Sequence, residues 1–423
     1  MNTFFTKLKA IFLDRVIRNR VLFVIGALVV FRFLAALPIP GVDTTRLTEL
    51  LANNQLLGVL NVFSGGGLSK LSVIMLGVSP YITASIILQL LTLMVPRLKA
   101  MYHEEGEIGR KKFTQYSRLL TIPLAVIQGI SLLTVLQSQG VIAHLSLFDT
   151  IVNVSIATAG TMLLMWIGEL ITEFGVGNGV SLIIFAGIVA SLPNAVSQLA
   201  FTFDVSQIPL YLGFLVAAIL VVYGVVVITE AERPVPVTYA KQARGMSVGG
   251  SVSSYVPIRL NQAGVMPIIF ALSILLFPQL LANLFSSSSN HILQSISHGA
   301  SYFVQNQLLY GAVYFAFVFL FTFFYTAVTF DPEAMATNLQ KNGAFVPGVR
   351  PGQATMEYIS TILSRVTFIG ALFLALIAVL PLIMQSATGI QTLALGGTSL
   401  LIVVSVVLDL IKKIDAQLSM REY

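Results

Sequence analysis

The chain has 423 residues, of which 56% are hydrophobic and 10% are charged, and its formal net charge is +6. A soluble protein of this length could not bury so much apolar surface, because large exposed apolar patches favour association. The composition therefore indicates a polytopic membrane protein. The absence of cysteine excludes disulfides and thiolate metal sites. No cofactor or metal is expected, since the histidines fit no zinc spacing: they are His103, His144, His291 and His298.

Ten apolar segments are long enough to cross a bilayer, whose core needs roughly 20 mostly apolar residues per helical span. The N-terminal stretch that precedes them, MNTFFTKLKAIFLDRVIRNR, is basic and amphipathic and contains no evident cleavable signal. It is expected to lie along the membrane surface. The predicted spans are approximately 21–38, 72–95, 117–137, 151–171, 180–199, 208–229, 263–285, 308–329, 363–384 and 393–411.

The distribution of basic residues predicts the orientation of these spans. Lys and Arg gather in the N-terminus, in the loops between spans two and three, six and seven, and eight and nine, and in the C-terminal tail. The loops on the opposite side contain only two Lys or Arg residues, Arg46 and Lys70. By the positive-inside rule, both termini are cytoplasmic.

The spans divide into two halves of five, residues 1–205 and 206–423. An odd number of spans per half gives the halves opposite topology, which is the arrangement of inverted repeats around a central pathway. The span count alone carries this prediction, since no internal sequence repeat is evident. Two cytoplasmic loops, about 230–260 and 331–363, are longer than simple connections require, and long loops are often functional. A large cytoplasmic partner is therefore expected.

Few ionisable residues fall within or next to the predicted spans, among them Arg32, Glu169, Glu173 and Asp409. Solute carriers and pumps usually place such residues at mid-membrane, so a coupled carrier is disfavoured. Arg32 can extend its guanidinium to the external interface. The spacing of Glu169 and Glu173 is more typical of a solvated helix end than of a carboxylate relay. Intramembrane proteolysis is also disfavoured, since there is no H-E-x-x-H motif and GVGNG offers Asn178 where an aspartyl protease needs aspartate.

The stretch NVFSGGGLSKLSV, residues 61–73, superficially resembles a phosphate-binding loop. A P-loop requires G-x-x-x-x-G-K-[ST], whereas here Ser69 separates the glycines from Lys70. The predicted topology also places the stretch outside the cytoplasm, where nucleoside triphosphate is scarce. A nucleotide site is therefore excluded.

Aliphatic residues with helical spacing recur in several spans. Val78 and Ile82 lie four residues apart, as do Val180 and Ile184, and each pair shares one helix face. Ordinary packing against lipid or other helices explains such residues equally well. Spacing alone does not indicate that they meet.

Seven motifs resemble the SecY family of bacterial protein-translocase channel subunits, in family order and spacing from the first span to the last. GAFVPGVRPG is similar to the bacterial form in particular. The motifs are LPIPGVD, NVFSGGGLSKLSVIMLGVSPYITASIILQLL, EEGEIGRKKFTQYSR, GNGVSLIIFAGIVA, AGVMPIIFA, GAFVPGVRPG and GGTSLLIVV.

The resemblance implies an all-α integral membrane protein with ten transmembrane helices in two inverted five-helix halves around an hourglass pore. It also implies a constriction ring of aliphatic side chains at the waist of this pore. Two ring positions are valine where isoleucine is common in the family, so the ring is expected to be slightly wide. The implied ring residues are Val78, Ile82, Val180, Ile184, Ile269 and Ile402.

A short plug helix, about Leu57 to Leu68, is implied to fold back into the external funnel and seal it. Its glycines would allow close packing and would let the plug hinge away when a polypeptide passes. The implied plug residues are Phe63, Ser64, Gly65, Gly66, Gly67 and Leu68.

A lateral gate is implied between spans two and three on one side and spans seven and eight on the other. Thr83, Gln128 and Asn261 match a polar cluster at this gate. Without the resemblance, a hydrogen bond from each side chain to a nearby backbone carbonyl would be the simpler interpretation.

Basic residues in both long loops match the family's contacts with a cytoplasmic partner, the SecA motor or the ribosome. They are Arg350 in PGVRPG and Lys241 and Arg244 in YAKQARG. The first long loop is less basic than is usual in the family, since Pro234 occupies a generally basic position and MSVGGSVSS follows Gly245. This departure predicts weak ribosome affinity, because phosphate contacts supply much of the binding to nucleic acid.

The function implied is that of a protein-conducting channel in the bacterial plasma membrane, with no enzymatic activity of its own. It would move unfolded preproteins outward and release transmembrane segments sideways into lipid, driven by SecA or by ribosomal elongation. The implied partners are SecE, SecG, SecA, the ribosome, signal sequences and membrane lipid, and no DNA. The alternative hypothesis is a secondary solute transporter with inverted repeats.

Overall fold

The computed structural model is a bundle of long helices with one small sheet. Within the described part of the chain, ten helices contain between 16 and 36 residues. The structure describes residues 14–39, 47, 61, 64–103, 105–142, 145–201, 208–239, 253–285, 291–388 and 391–419.

Two helices of the N-terminal half begin at residues whose side chains cap them, Asp14 and Ser146. The carboxylate of Asp14 accepts a hydrogen bond from Val16 N at 2.8 Å, and the Ser146 hydroxyl accepts one from Asp149 N at 3.1 Å. The helices of this half are α1 (Arg15–Ala35), α2 (Ser79–Met94), α3 (Pro96–His103), α4 (Gly106–Ser138), α5 (Leu147–Phe174) and α6 (Gly179–Phe201).

The C-terminal half combines helices with three strands, and side chains again cap helix starts. Asn306 caps the helix Gln307–Thr329, and Asp331 caps the helix Pro332–Lys341. In chain order the elements are α7 (Ile208–Glu230), β1 (Glu232–Tyr239), β2 (Ser253–Arg259), α8 (Met266–Phe285), α9 (His291–Gln305), α10 (Gln307–Thr329), α11 (Pro332–Lys341), β3 (Ala344–Phe345), α12 (Gln353–Thr388) and α13 (Gln391–Ser419).

The helices follow the predicted spans with some shifts at their ends. Helix α2 begins at Ser79 rather than at 72, because Ser72 forms an isolated bridge with Pro38 and 73–78 form consecutive turns. Helix α12 begins at Gln353 rather than at 363, so part of the second long loop is helical.

Length and composition alone identify only some of these helices as membrane spans. The pair Ser79–Thr92 and Pro96–Tyr102 passes the same criterion together, with a bend of 112° between its members. The count of ten spans therefore stays a prediction. Among the described residues, four ranges qualify singly: Gly106–Gln137, Leu147–Phe174, Gln307–Lys341 and Gln353–Met384.

The packing of the first half recurs in the second. Helix α1 packs on α5 and α6, α4 packs on α2 and α5, and α5 packs on α6. In the same way α7 packs on α12 and α13, α10 packs on α8 and α12, and α12 packs on α13. Between the halves, α8 contacts α2 and α4, while α13 contacts α6. The large central core lies where these helices meet.

The two long loops, predicted as separate connections, join in one folded unit. Strand β1 pairs antiparallel with β2, as in Val235↔Val256, and with β3, as in Thr238↔Phe345. Val235 and Val237 are buried beneath the sheet. Val235 shares a small core with residues of α12, including Ile359. We call this assembly of β1, β2, β3 and α11 the sheet unit, and its side of the molecule the sheet face.

Candidate functional site

The predicted ring residues come from four helices or their starts and share one buried core. Ile184 and Val78 are 0% exposed, and Ile82, the most exposed of the five buried members, is 6% exposed. Val180 is half-buried and packs against the same cluster. The cluster is thus an apolar contact between both halves of the chain. The members of the predicted ring in it are Val78, Ile82, Val180, Ile184, Ile269 and Ile402.

The start of α2 brings two of these residues to the centre of the protein. Gly77 has a φ of +61°, which favours glycine, and ends a series of turns before the helix. Val78 occupies the N-cap position, and Ile82 N donates to Val78 O at 3.0 Å. Irregular backbone at membrane depth is tolerated where protein surrounds it. The turns therefore let the helix begin at the core instead of at the membrane surface.

The start of α6 is positioned by a polar cap and a close helix contact. Asn178 Oδ1 accepts a hydrogen bond from Ser181 N at 3.1 Å, and the Thr172 hydroxyl accepts one from Gly179 N at 2.9 Å. A Cβ at Gly179 would overlap the carbonyl oxygen of Gly168 in α5. The GVGNG motif thus has a structural role: it holds the first turn of α6, and with it Val180, against α5.

Within the predicted plug, Asn61 is helical and the described residues that follow it form a tight turn. The turn spans 64–67 and continues into a 3-10 segment, Leu68–Lys70. Leu68 is 0% exposed and lies in a second core with residues of α4 and α5. Half of the predicted plug helix, including Phe63, lies outside the described residues.

The three glycines are required by this turn in its observed geometry. Gly65 and Gly66 have φ values of +65° and +81°, and a Cβ at Gly67 would lie 2.7 Å from Ser72 Oγ. Side chains at these positions would be strained or would clash. The prediction that the glycines mainly provide hinge freedom is therefore incomplete, since the folded turn itself needs them.

The predicted gate residues are buried on neighbouring elements without bonding to one another. Thr83 Oγ1 donates to Ser79 O at 3.0 Å, and Asn261 Nδ2 donates to Gly264 O at 3.3 Å. Gln128 is buried in α4. Within the described residues, no hydrogen bond joins these three side chains. Thr83 and Asn261 thus adopt the local backbone contacts that were the simpler interpretation.

Asn261 also lines a polar cavity on the sheet-face side of the ring residues. The cavity has a volume of about 220 Å³, and its wall includes Asn178, Ser405 and Lys412. Asn261 Oδ1 and Ser405 Oγ are buried without a hydrogen-bond partner in the described structure. The cavity wall also includes Val406 of the central core, so polar and charged residues border that core.

Arg350 lies exposed in the loop between β3 and α12. Gly348 and Gly352 on either side have φ values of +83° and +98°, and Arg350 O accepts a hydrogen bond from Thr355 Oγ1 at 2.8 Å. The loop backbone is therefore fixed while the guanidinium faces outward. Lys241 and Arg244 lie outside the described residues.

Two contacts of charged residues were not predicted from the sequence. Arg118 in α4 binds Glu169 in α5 through two atom pairs, Nε–Oε1 at 2.9 Å and Nη2–Oε2 at 2.7 Å. The interpretation of Glu169 as part of a solvated helix end did not include this ion pair with the neighbouring helix. Arg32 Nη1 donates to Gly65 O at 2.8 Å instead of only facing the interface. The partners lie 51 and 33 residues apart, so no local pattern could have indicated them.

Known proteins resemble this chain along almost its whole length. The model of the SecY family matches residues 72–411. Protein translocase subunit SecY of Mycobacterium tuberculosis is 39% identical over 427 residues, covering 96% of this chain and 96% of that protein. The subunit of the same name from Streptomyces scabiei is 40% identical over 429 residues with the same coverage.

Solved structures share the fold at lower sequence identity. A structure of a protein-conducting channel superposes with a TM-score of 0.65 at 16% identity, covering 96% of this chain and 94% of that one. Sec61 in a canine ribosome–channel complex from the endoplasmic reticulum superposes with a TM-score of 0.63 at 17% identity and the same coverage. The predicted helical channel class is confirmed by these likenesses. Taken with the family match, they show that the chain belongs to the SecY family of protein translocase subunits.

Proposed function

We propose that this chain forms the protein-conducting channel of a translocase in a bacterial plasma membrane. The observation that carries the proposal is the central apolar cluster that joins both halves of the chain and brings the predicted ring residues together. Unfolded preproteins would pass through this cluster, and the closed cluster would prevent leakage. The family is one of channel and translocase subunits, and the proposed channel catalyses no reaction of its own.

An aliphatic constriction suits a channel that must accept any sequence. Such side chains offer water and ions no hydrogen bonds, so a narrow ring dewets and blocks ions. They also impose no directional chemistry on the polypeptide. The valines Val78 and Val180 leave more room than isoleucine, which makes an additional seal useful.

The plug, about Leu57 to Leu68, would supply that seal. The buried turn at its end supports this role, since Leu68 packs into a core formed with α4 and α5. A passing polypeptide would displace the plug outward.

The lateral gate would open where α8 meets α2 and α4. Thr83, Gln128 and Asn261 are the proposed polar residues of this gate. Polar contacts between membrane helices contribute only about 0.6–2 kcal/mol each. An apolar signal sequence could therefore replace them by its own burial and enter the bilayer.

The sheet unit is the proposed docking surface for cytoplasmic partners. It joins both long loops, and Arg350 projects from it on a rigid loop, well suited to carboxylate or phosphate groups. SecA and the ribosome are the proposed partners at this surface, with Lys241 and Arg244 as further contacts. A ribosome-bound Sec61 among the structural neighbours supports the ribosome as a partner. SecE and SecG are proposed as accompanying subunits.

The proposed topology has two inverted halves, residues 1–205 and 206–423, with both termini in the cytoplasm. The recurrence of helix pairs between the halves supports this division. The asymmetric distribution of Lys and Arg supports the orientation.

Reconstitution in liposomes tests the proposed function. With SecE present, adding SecA and ATP should move a signal-bearing preprotein into a protease-protected lumen. Single cysteines at ring positions should cross-link to an arrested preprotein, and the cysteine-free chain makes this design direct. Uptake of a small solute down an imposed gradient, without preprotein transport, would instead support the transporter hypothesis and overturn the proposal.

A further inference from the structure

The last turn of α1 contacts the turn that ends the proposed plug. Arg32 lies in that last turn, and its Nη1 donates a hydrogen bond to Gly65 O at 2.8 Å. The neighbouring Phe31 ring fills the space beside Gly65, where a Cβ would overlap Phe31 Cζ. One apolar and one charged side chain of α1 thus meet the plug turn at its first glycine.

The plug turn is internally bonded and can act as one body. Ser64 Oγ accepts from Leu68 N at 2.9 Å, and Ser69 Oγ donates to Gly66 O at 2.7 Å. Asn61 Oδ1 accepts from Ser69 N at 2.9 Å, which ties the preceding residues to the turn. A force applied at Gly65 is therefore transmitted to the whole turn.

The base of this turn is joined to the segment after α1 by backbone hydrogen bonds, and Leu68 packs it into the second core. Ile39 N donates to Leu71 O at 2.8 Å, and Val73 N donates to Leu37 O at 3.1 Å. Among the described residues, Arg32 supplies the only side-chain hydrogen bond that reaches residues 64–70 from elsewhere in the fold. The contact at Gly65 is therefore a polar tie that adds to the apolar packing of Leu68.

We propose that Arg32 is a latch that positions the plug in the closed channel. This inference rests on the proposed channel function. A hydrogen bond with an ionised donor is roughly twice as strong as a neutral one, yet water can replace it when the turn swings out. The latch therefore stabilises the closed state without preventing release, and it explains why an arginine occupies an otherwise apolar stretch of α1.

The rate at which a buried plug residue becomes accessible tests the latch. Leu68 is 0% exposed, so a Leu68→Cys probe in the cysteine-free chain should react with a membrane-impermeant maleimide only when the turn opens. The measurement uses the complete reconstituted complex without preprotein. Arg32→Gln should raise the reaction rate about tenfold or more, the factor produced by losing about 1.4 kcal/mol of closed-state stabilisation. Arg32→Lys, which keeps the charge, should show a smaller increase.

Arg18→Gln is the matched control, because it removes the same charge from the exposed opposite end of α1. It should leave the maleimide rate unchanged, and ion leak should rise only in the Arg32 variants. An unchanged rate in both Arg32 variants, or an equal rise in the control, would overturn the latch. Preprotein transport by the unsubstituted complex is measured in parallel. If transport is present but the rate does not respond, the latch fails alone, whereas absent transport removes the channel proposal itself.

Discussion

Asparagine at Ile184 is predicted to make the closed channel leak, whereas asparagine at Ile183 should not. Both side chains are 0% exposed and belong to the same core. Ile183 faces α5, since its Cδ1 lies 3.5 Å from where a Cβ on Gly168 would be. Ile184 follows it by one residue and points about 100° away around the helix axis. In the proposed channel that direction is the pore.

The magnitude follows from what each site can offer the new amide. Losing a buried isoleucine costs about 1.5–3 kcal/mol, and an unpaired buried amide adds about 1–3 kcal/mol. At Ile183 the helix contact provides no route for water, so the full cost should appear as lost stability. At Ile184 water can enter from the funnel and hydrate the amide, so less stability is lost and the constriction becomes wet. The Ile183 variant should therefore be the less stable of the two, and the Ile184 variant should conduct more ions.

Ion flux through reconstituted complexes, without preprotein, is the assay, and thermal unfolding of the same samples reports stability. Threonine substitutions at the two positions provide a milder pair if asparagine prevents folding. Equal leakage from both variants would refute the reasoning, and so would a dry Ile184 variant that is as unstable as the Ile183 variant.

Three further predictions concern Arg350, the proposed plug and the ion pair between Arg118 and Glu169. Arg350→Glu should reduce SecA-driven export at least about tenfold, because reversing a paired interface charge typically costs more than about 1.4 kcal/mol. Lys341→Glu, an equally exposed charge reversal on the sheet face, should export normally; normal export by the Arg350 variant would contradict its proposed role. Deleting Leu57 to Leu68 should increase ion leak while export continues, and unchanged conductance would count against the plug. A double-mutant cycle of Arg118→Ala and Glu169→Ala should give a coupling of only about 0.5–1 kcal/mol, since Arg118 is 45% exposed. Thermal unfolding measures this coupling. A lysine at position 118 should not reproduce it, because lysine lacks the bidentate geometry of a guanidinium.

Apolar segments and basic loops are the features of this sequence from which parts of the fold can be predicted. Hydrophobic segments predict helices because a backbone in lipid must satisfy its own hydrogen bonds. The helix ends were less predictable. Val78 begins its helix inside the protein rather than at the membrane surface, and hydropathy does not distinguish the turns before it from the helix after it.

The residues of the candidate site were identified from the family resemblance, and only the packing of the helices showed that they share one core. Spacing showed that Val78 and Ile82 share a face, as do Val180 and Ile184, but it could not show that the two faces meet. The structure brings both pairs into one core. The gate polar residues illustrate the converse: Thr83 and Asn261 match a family pattern, yet each bonds its own local backbone.

The sequence by itself indicated a helical membrane protein and the family to which it belongs, and the orientation of its basic loops stays a prediction. These properties depend on composition, local periodicity and motif order, all of which can be read directly from the sequence. Only the tertiary structure decided that the two long loops share a sheet, that Arg118 pairs with Glu169 and that Arg32 holds Gly65. The physical reason is that such contacts join residues far apart in sequence, and each residue type is compatible with many partners until the helices are packed.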